Sequence, residues 1–119
     1  MKTLSLVAVI LFSIININTT TAQTAQAKTE TIKVWGNCGM CKSHIEKAAK
    51  EAGATTAAWN KDTKILTVKY DLTKTDNQKI QKSVAGAGYD TKDFVGNDEA
   101  YKNLDECCQY DRKTATKKQ

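Results

Sequence analysis

Polar and apolar residues alternate through Thr31, Ile32, Lys33, Val34 and Trp35, the period of a half-buried strand with Ile32 and Val34 turned inward. Gly36 and Asn37 break that run. From about Cys41 the apolar positions change to helical spacing. Ile45, Ala48, Ala49 and Ala52 form one stripe, Lys42, Glu46, Lys47 and Lys50 lie opposite, and Gly53 is a natural stop. Two strand-like runs follow, residues 55–59 and 65–70, separated by the turn formers Asn60, Lys61, Asp62 and Thr63. They predict an antiparallel hairpin with Leu66, Val68 and Tyr70 on one face. Thr75 followed three positions later by Gln78 reads as a capping box, and Ile80, Val84 and Ala87 are spaced for a second amphipathic helix ended by Gly86 and Gly88. Residues 90–95 fit a short last strand anchored by Phe94.

The order strand, helix, strand, strand, helix, strand predicts an α+β fold, a ferredoxin-like βαββαβ sandwich. Two helices would cover one face of an antiparallel four-stranded sheet. Beyond Gly96 a C-terminal helical extension is expected, capped by Asn97 or Asp98, with Tyr101, Leu104 and Cys108 on one face. From Asp111 the chain is polar and basic, which predicts a disordered tail.

The N-terminal stretch has a different character. Lys2 precedes a mostly apolar run, residues 4–17, interrupted by Ser5, Ser13 and Asn16, and Ala25, Gln26 and Ala27 make a small-x-small cleavage site. The run is shorter than the ~18–20 residues of a membrane span. The expectation is a cleaved signal peptide, residues 1–27, with no permanent membrane anchor and export across the inner membrane to the periplasm. A single domain over residues 28–96 and an extension over 97–119 would follow.

Composition narrows this further. A chain of 119 residues holds one small core and excludes large multi-domain enzymes. Its net charge of +5 comes from lysines spread along the chain, densest near the C-terminus, which is a solvated surface rather than a nucleic-acid footprint. Four cysteines in an exported protein read as disulfides by default, whereas the same residues kept reduced read as metal or redox chemistry.

Cys38, Gly39, Met40 and Cys41 fall at the junction of the first strand and first helix. Cysteines three apart at a helix start can aim both sulfurs at one exposed spot, where the free backbone NH groups and helix dipole favour thiolate. Thiolates are soft ligands that suit Cu(I) and other thiophilic ions such as Zn(II), and disfavour Mg and Ca. His44 follows Cys41 by three and is a further candidate ligand. The second pair, Cys107 and Cys108, is adjacent, and adjacent cysteines bridge each other only with strain. Two readings stay open for it. Either the C-terminal helix folds back and these sulfurs complete or relay coordination at Cys38 and Cys41, or they are structural, as a disulfide or a buried small hydrophobe.

The run from Gly36 to Lys42 resembles the heavy-metal-associated domain family, which includes copper chaperones and periplasmic mercury-binding proteins. The resemblance covers residues 29–96. It extends to the helix run from Cys41 to Ala48, to Gly53 and Ala54, to the run from Ala57 to Asn60, to the stretch from Leu66 to Asp71, and to Gly88, Tyr89 and Asp90. It implies that Cys38 and Cys41 are the metal ligands and that Tyr89 lies on the loop facing them. The family commonly carries Met two residues before the first ligand. Here that position is Gly36 and Met40 sits between the cysteines, so the loop packs differently. In the resembling helix the position of His44 points to solvent.

These readings imply a binding and transfer protein rather than an enzyme. It would take Cu(I), or alternatively Hg(II), Zn(II) or Cd(II), between two thiolates and pass it to a membrane metal transporter or another metal-binding domain. A monomer is expected. A buffer, a sensor or a mercury-resistance protein would use the same site. A thioredoxin-like oxidoreductase is the alternative of a different class, since its active site also lies at a strand-to-helix junction. Such folds place a cis-Pro opposite the cysteines, and this chain has no Pro.

Overall fold

A computed structural model describes residues 26–112; residues 1–25, within the expected signal peptide of residues 1–27, and residues 113–119 lie outside the described residues. Three strands form, β1 (Ala27–Lys33), β2 (Thr56–Asn60) and β3 (Ile65–Asp71), with helices α1 (Gly39–Glu51), α2 (Asn77–Gly86) and a short α3 (Asp98–Lys102). A single 3-10 turn, Glu106–Cys108, follows. The strand β1 begins at Ala27, a residue the sequence reading assigns to the leader. None of the helices among the described residues is long and apolar enough to cross a membrane.

The sheet has the order β1-β3-β2, entirely antiparallel, with Ile32 opposite Leu66 and Trp59 also opposite Leu66. Because side chains alternate along a strand, Leu66, Val68 and Tyr70 are buried on one face while Thr67 and Lys69 are exposed on the other. Only one face is therefore covered, and both long helices lie on it. Cys41, Ile45, Ala48 and Ala49 of α1 and Ile80 and Val84 of α2 join Ile32, Val34, Trp59 and the β3 residues in one core. Each large aliphatic side chain removed from water there contributes roughly 1.5–3 kcal/mol. The β2–β3 turn forms as expected, with the Asn60 side chain accepting from the backbone NH groups of Asp62 and Thr63.

Three expectations are corrected. First, the sheet has three strands, not four. The segment after α2 meets β1 only through a bridge between Val34 and Thr91, with Trp35 NH donating to Asp90 O and Lys92 NH to Lys33 O. It then turns, because the buried Gln81 carbonyl accepts from the Thr91 hydroxyl and the Asp93 NH, and Thr91 NH donates to Phe94 O. Phe94 is half-buried rather than a strand anchor. Second, α2 is capped by Asp76, whose side chain accepts from Lys79 NH at 2.8 Å. Thr75 is buried instead, its methyl side against Gly53. Third, the C-terminal extension is not one helix. Asn97 caps α3 as expected, but the helix ends at Asn103, and the chain reaches Cys108 through a separate turn.

Residues 97–112 nonetheless fold back as a strap on the domain. Arg112, within the tail from Asp111 that was expected to be disordered, forms ion pairs with buried Asp90 at 2.8 Å and with Asp98 at 2.6 Å. Tyr101 donates to Tyr110 O, and its ring packs edge-on against that of Tyr110. Gly88 makes this approach feasible. Its φ of 101° is in the left-handed region, and a Cβ there would lie 2.7 Å from the Tyr101 nitrogen.

Candidate metal centre

Gly36 carries the chain off β1 and directly across the indole of Trp59, since a Cβ at Gly36 would fall 2.9 Å from that ring. The ring is fixed by its own hydrogen bond, Nε1 donating to Val34 O at 3.0 Å. No larger side chain fits at position 36, which explains why a methionine cannot occupy it here. The next turn of chain brings Cys38 to the N-cap of α1, with its carbonyl accepting the first helical bond from Lys42 NH.

From that cap, Cys38 is half-exposed while Cys41, in the first turn, is fully buried. Their Sγ atoms are 3.3 Å apart, and the Cys41 thiol also donates to Asn37 Oδ1 at 3.2 Å. The strap delivers a third sulfur. Cys108 is fully buried with Sγ 3.4 Å from that of Cys38. The Sγ atoms of Cys38, Cys41 and Cys108 all lie within 4.8 Å of one another. All four cysteines are free thiols.

The other candidate residues surround this trio without joining it. Cys107 is exposed, its thiol donating to the Met40 sulfur at 3.5 Å and lying 3.9 Å from the Cys108 sulfur. Met40 points outward, 45% exposed. Tyr89 is buried in the same core as Cys41 and Cys108. His44 is half-buried, Nδ1 2.9 Å from the Tyr89 hydroxyl, so it holds the tyrosine rather than standing free in solvent.

Electrostatics divide the thiols. Burial pushes the Cys38 thiol upward, but the backbone NH and thiol of Cys41 and the thiols of Cys108 and Cys107 outweigh it and bring the group down to about 7. A large fraction is thus thiolate near neutral pH. Cys108 moves the other way, raised by burial and then by the adjacent sulfurs of Cys41 and Cys38. Burial also raises the Tyr89 hydroxyl, with the charge of Cys41 and Cys108 adding to it, so Tyr89 remains neutral beside the sulfurs.

Sequence reasoning did not single out Asn37 or the residues that seat the strap. Tyr110 is buried with its ring stacked on Tyr89 at 5.9 Å, and its hydroxyl accepts from Asp90 NH at 2.6 Å and donates to Gly88 O at 3.1 Å. The available signal was an aromatic two residues beyond a cysteine in an otherwise polar run.

The heavy-metal-associated domain family matches residues 37–90 of the chain. Among solved structures the chain is similar to the CopZ metallochaperone, with 32% identity and a TM-score of 0.51 over 54% of this chain and 98% of that one. It is likewise similar to oxidized MerP from Ralstonia metallidurans CH34, with 31% identity and a TM-score of 0.52 over 56% and 94% of the two chains. None of the curated proteins matches. The family match ends before the strap, so Cys107, Cys108, Tyr110 and Arg112 lie beyond it.

Proposed function

The chain belongs to the heavy-metal-associated domain family, and from that premise we propose that it captures a thiophilic metal ion between Cys38 and Cys41 and passes it on by thiolate exchange. The observation that carries this is the sulfur pair itself, 3.3 Å apart at the start of α1, with the Cys38 thiol near pKa 7. One partner is ready as thiolate at neutral pH and the other is seated by Asn37. Soft sulfur donors favour Cu(I), which we take as the first cargo, ahead of Hg(II) and then Zn(II) or Cd(II).

In exchange, a thiolate of the acceptor bonds to the ion before an outgoing sulfur leaves, and the released thiolate takes up a proton from water. The half-exposure of Cys38 supports entry of such an acceptor from that side. The acceptor we propose is a membrane metal transporter or another metal-binding domain, and the place of action is the periplasm, supported by the leader-like residues 1–27. A thioredoxin-like reading is disfavoured by the antiparallel β1-β3-β2 sheet and by the lack of any Pro.

Competition with a Cu(I) chelator tests the proposal. Reduced protein is expected to bind one Cu(I), and Cys38→Ser or Cys41→Ser to raise the dissociation constant on the order of a hundredfold, the share of one thiolate in a thiolate site. Protein oxidised at these cysteines is expected not to bind. Equal binding by reduced and oxidised forms overturns the proposal.

A further inference from the structure

We propose that Cys108, carried by the strap of residues 97–112, is a third metal ligand, so that the protein supplies from its own chain the sulfur that a two-thiolate carrier must borrow from its acceptor. This rests on capture by Cys38 and Cys41 and adds to it a coordination number and a barrier to release.

The geometry of the three sulfurs carries the inference. With metal–sulfur bonds of ~2.3 Å, three thiolates around one ion sit about 4.0 Å apart. Cys108 Sγ lies 3.4 Å from Cys38 Sγ, and all three sulfurs are within 4.8 Å of one another. A small opening of the trio admits an ion at its centre. Each thiol that bonds to the ion gives its proton to water, and no electron is transferred.

The position of Cys108 is built, not incidental. On its C-terminal side Tyr110 is locked by two hydrogen bonds to the loop that also carries Tyr89, and Arg112 is paired with Asp90. On its N-terminal side, Tyr101 rests against Gly88, and Gly96 NH donates to the same Asp90 carboxylate at 2.6 Å. Asp90 therefore ties both ends of the strap to the loop beside the sulfurs. Cys108 NH donates to Asp105 O at 2.7 Å, closing the tight turn that aims the side chain inward and leaves Cys107 outside. A buried cysteine used only as packing has no need of two sulfur neighbours at its tip.

A consequence for exchange follows. The place an acceptor thiolate would take is already filled, so the acceptor must displace Cys108 before the ion can leave. The domain is thereby biased toward holding its cargo.

X-ray absorption at the copper edge of the full-length chain loaded with Cu(I) alone tests this. Three sulfur neighbours are expected in the unsubstituted protein and two in Cys108→Ala, with Cu(I) transfer to excess bathocuproine about tenfold faster in the variant. Two sulfurs in the unsubstituted protein overturn the third-ligand assignment while leaving capture by Cys38 and Cys41 intact, and that count does not depend on how any variant folds. Full affinity retained by Cys38→Ser and Cys41→Ser would instead overturn capture itself.

Discussion

The two cysteine pairs are the same residues set on different backbones. Cys38 and Cys41 flank the first turn of a 13-residue helix, and their three-residue spacing brings both sulfurs to one point. Cys107 and Cys108 are adjacent on a 3-10 turn, and their side chains diverge, one exposed and one buried. The first pair acts as a unit because its helix is fixed by the core. The second is split by its turn, and only the half that faces inward reaches the site. Local spacing decides how many sulfurs a pair can contribute, and the anchoring of the carrier decides how firmly they stay. The helix is held by Ile45, Ala48 and Ala49 in the core, whereas the strap adds to the buried Cys108 and Tyr110 a set of polar anchors around Asp90.

That difference can be broken most sharply at Arg112. Asp90 is only 3% exposed at its side chain and Arg112 18%. Removing one partner of a buried pair strands the other charge and costs about 3 kcal/mol. Arg112→Gln is expected to lower the melting temperature clearly and to make Cys108 open to alkylation in the folded protein, while Cu(I) capture by Cys38 and Cys41 persists with faster release. An unchanged melting temperature and a protected Cys108 would mean the strap is held elsewhere.

What was legible follows the range of the forces involved. The helix periodicities, the hairpin turn at Asn60 and the thiol pair at the helix start are written in residues within a few positions of each other. The missing fourth strand was not, because Gln81, ten residues from Thr91, supplies the carbonyl that bends the chain there. The approach of Cys108 was one of two open readings, and the chain takes a different route to it. Helical spacing aligned it with Tyr101 and Leu104, whereas the helix ends at Asn103, and a separate turn together with Tyr110 restores the inward direction. The pairing of Arg112 with Asp90, 22 positions apart, had no local signature at all.

A smaller effect separates the thiols by their acidity. Cys38 is lowered to about 7 because, against burial, the NH and thiol of Cys41 and the thiols of Cys108 and Cys107 stabilise its anion, whereas Cys107 is raised, first by its contact with Cys38. Alkylation by iodoacetamide follows thiolate, so the rate at Cys38 is expected to rise about tenfold from pH 6 to 8 and then level off. The rate at Cys107 is expected to keep climbing beyond pH 9. The linked stability has a definite sign. The lowered Cys38 contributes stability that is fully present above its ordinary value of 9.0 and is lost as pH falls through about 7. The raised Cys108 contributes stability below 9.0 that is lost as pH rises beyond it. Parallel profiles at Cys38 and Cys107 would remove the electrostatic half of the comparison.

The smallest expected effect is at Cys107, where the contrast between the pairs is most exposed to contradiction. Its sulfur lies 3.5 Å from that of Met40 and 3.9 Å from that of Cys108, and the residue is exposed, so water replaces most of what a substitution removes. Cys107→Ser is therefore expected to change the Cu(I) dissociation constant by no more than roughly twofold, as for other surface changes. Measured beside Cys108→Ala in the same chelator competition, it asks whether adjacency or direction matters. If Cys107→Ser weakens binding as much as Cys108→Ala, the pair works as a unit after all, and the turn that divides them must open when the ion arrives.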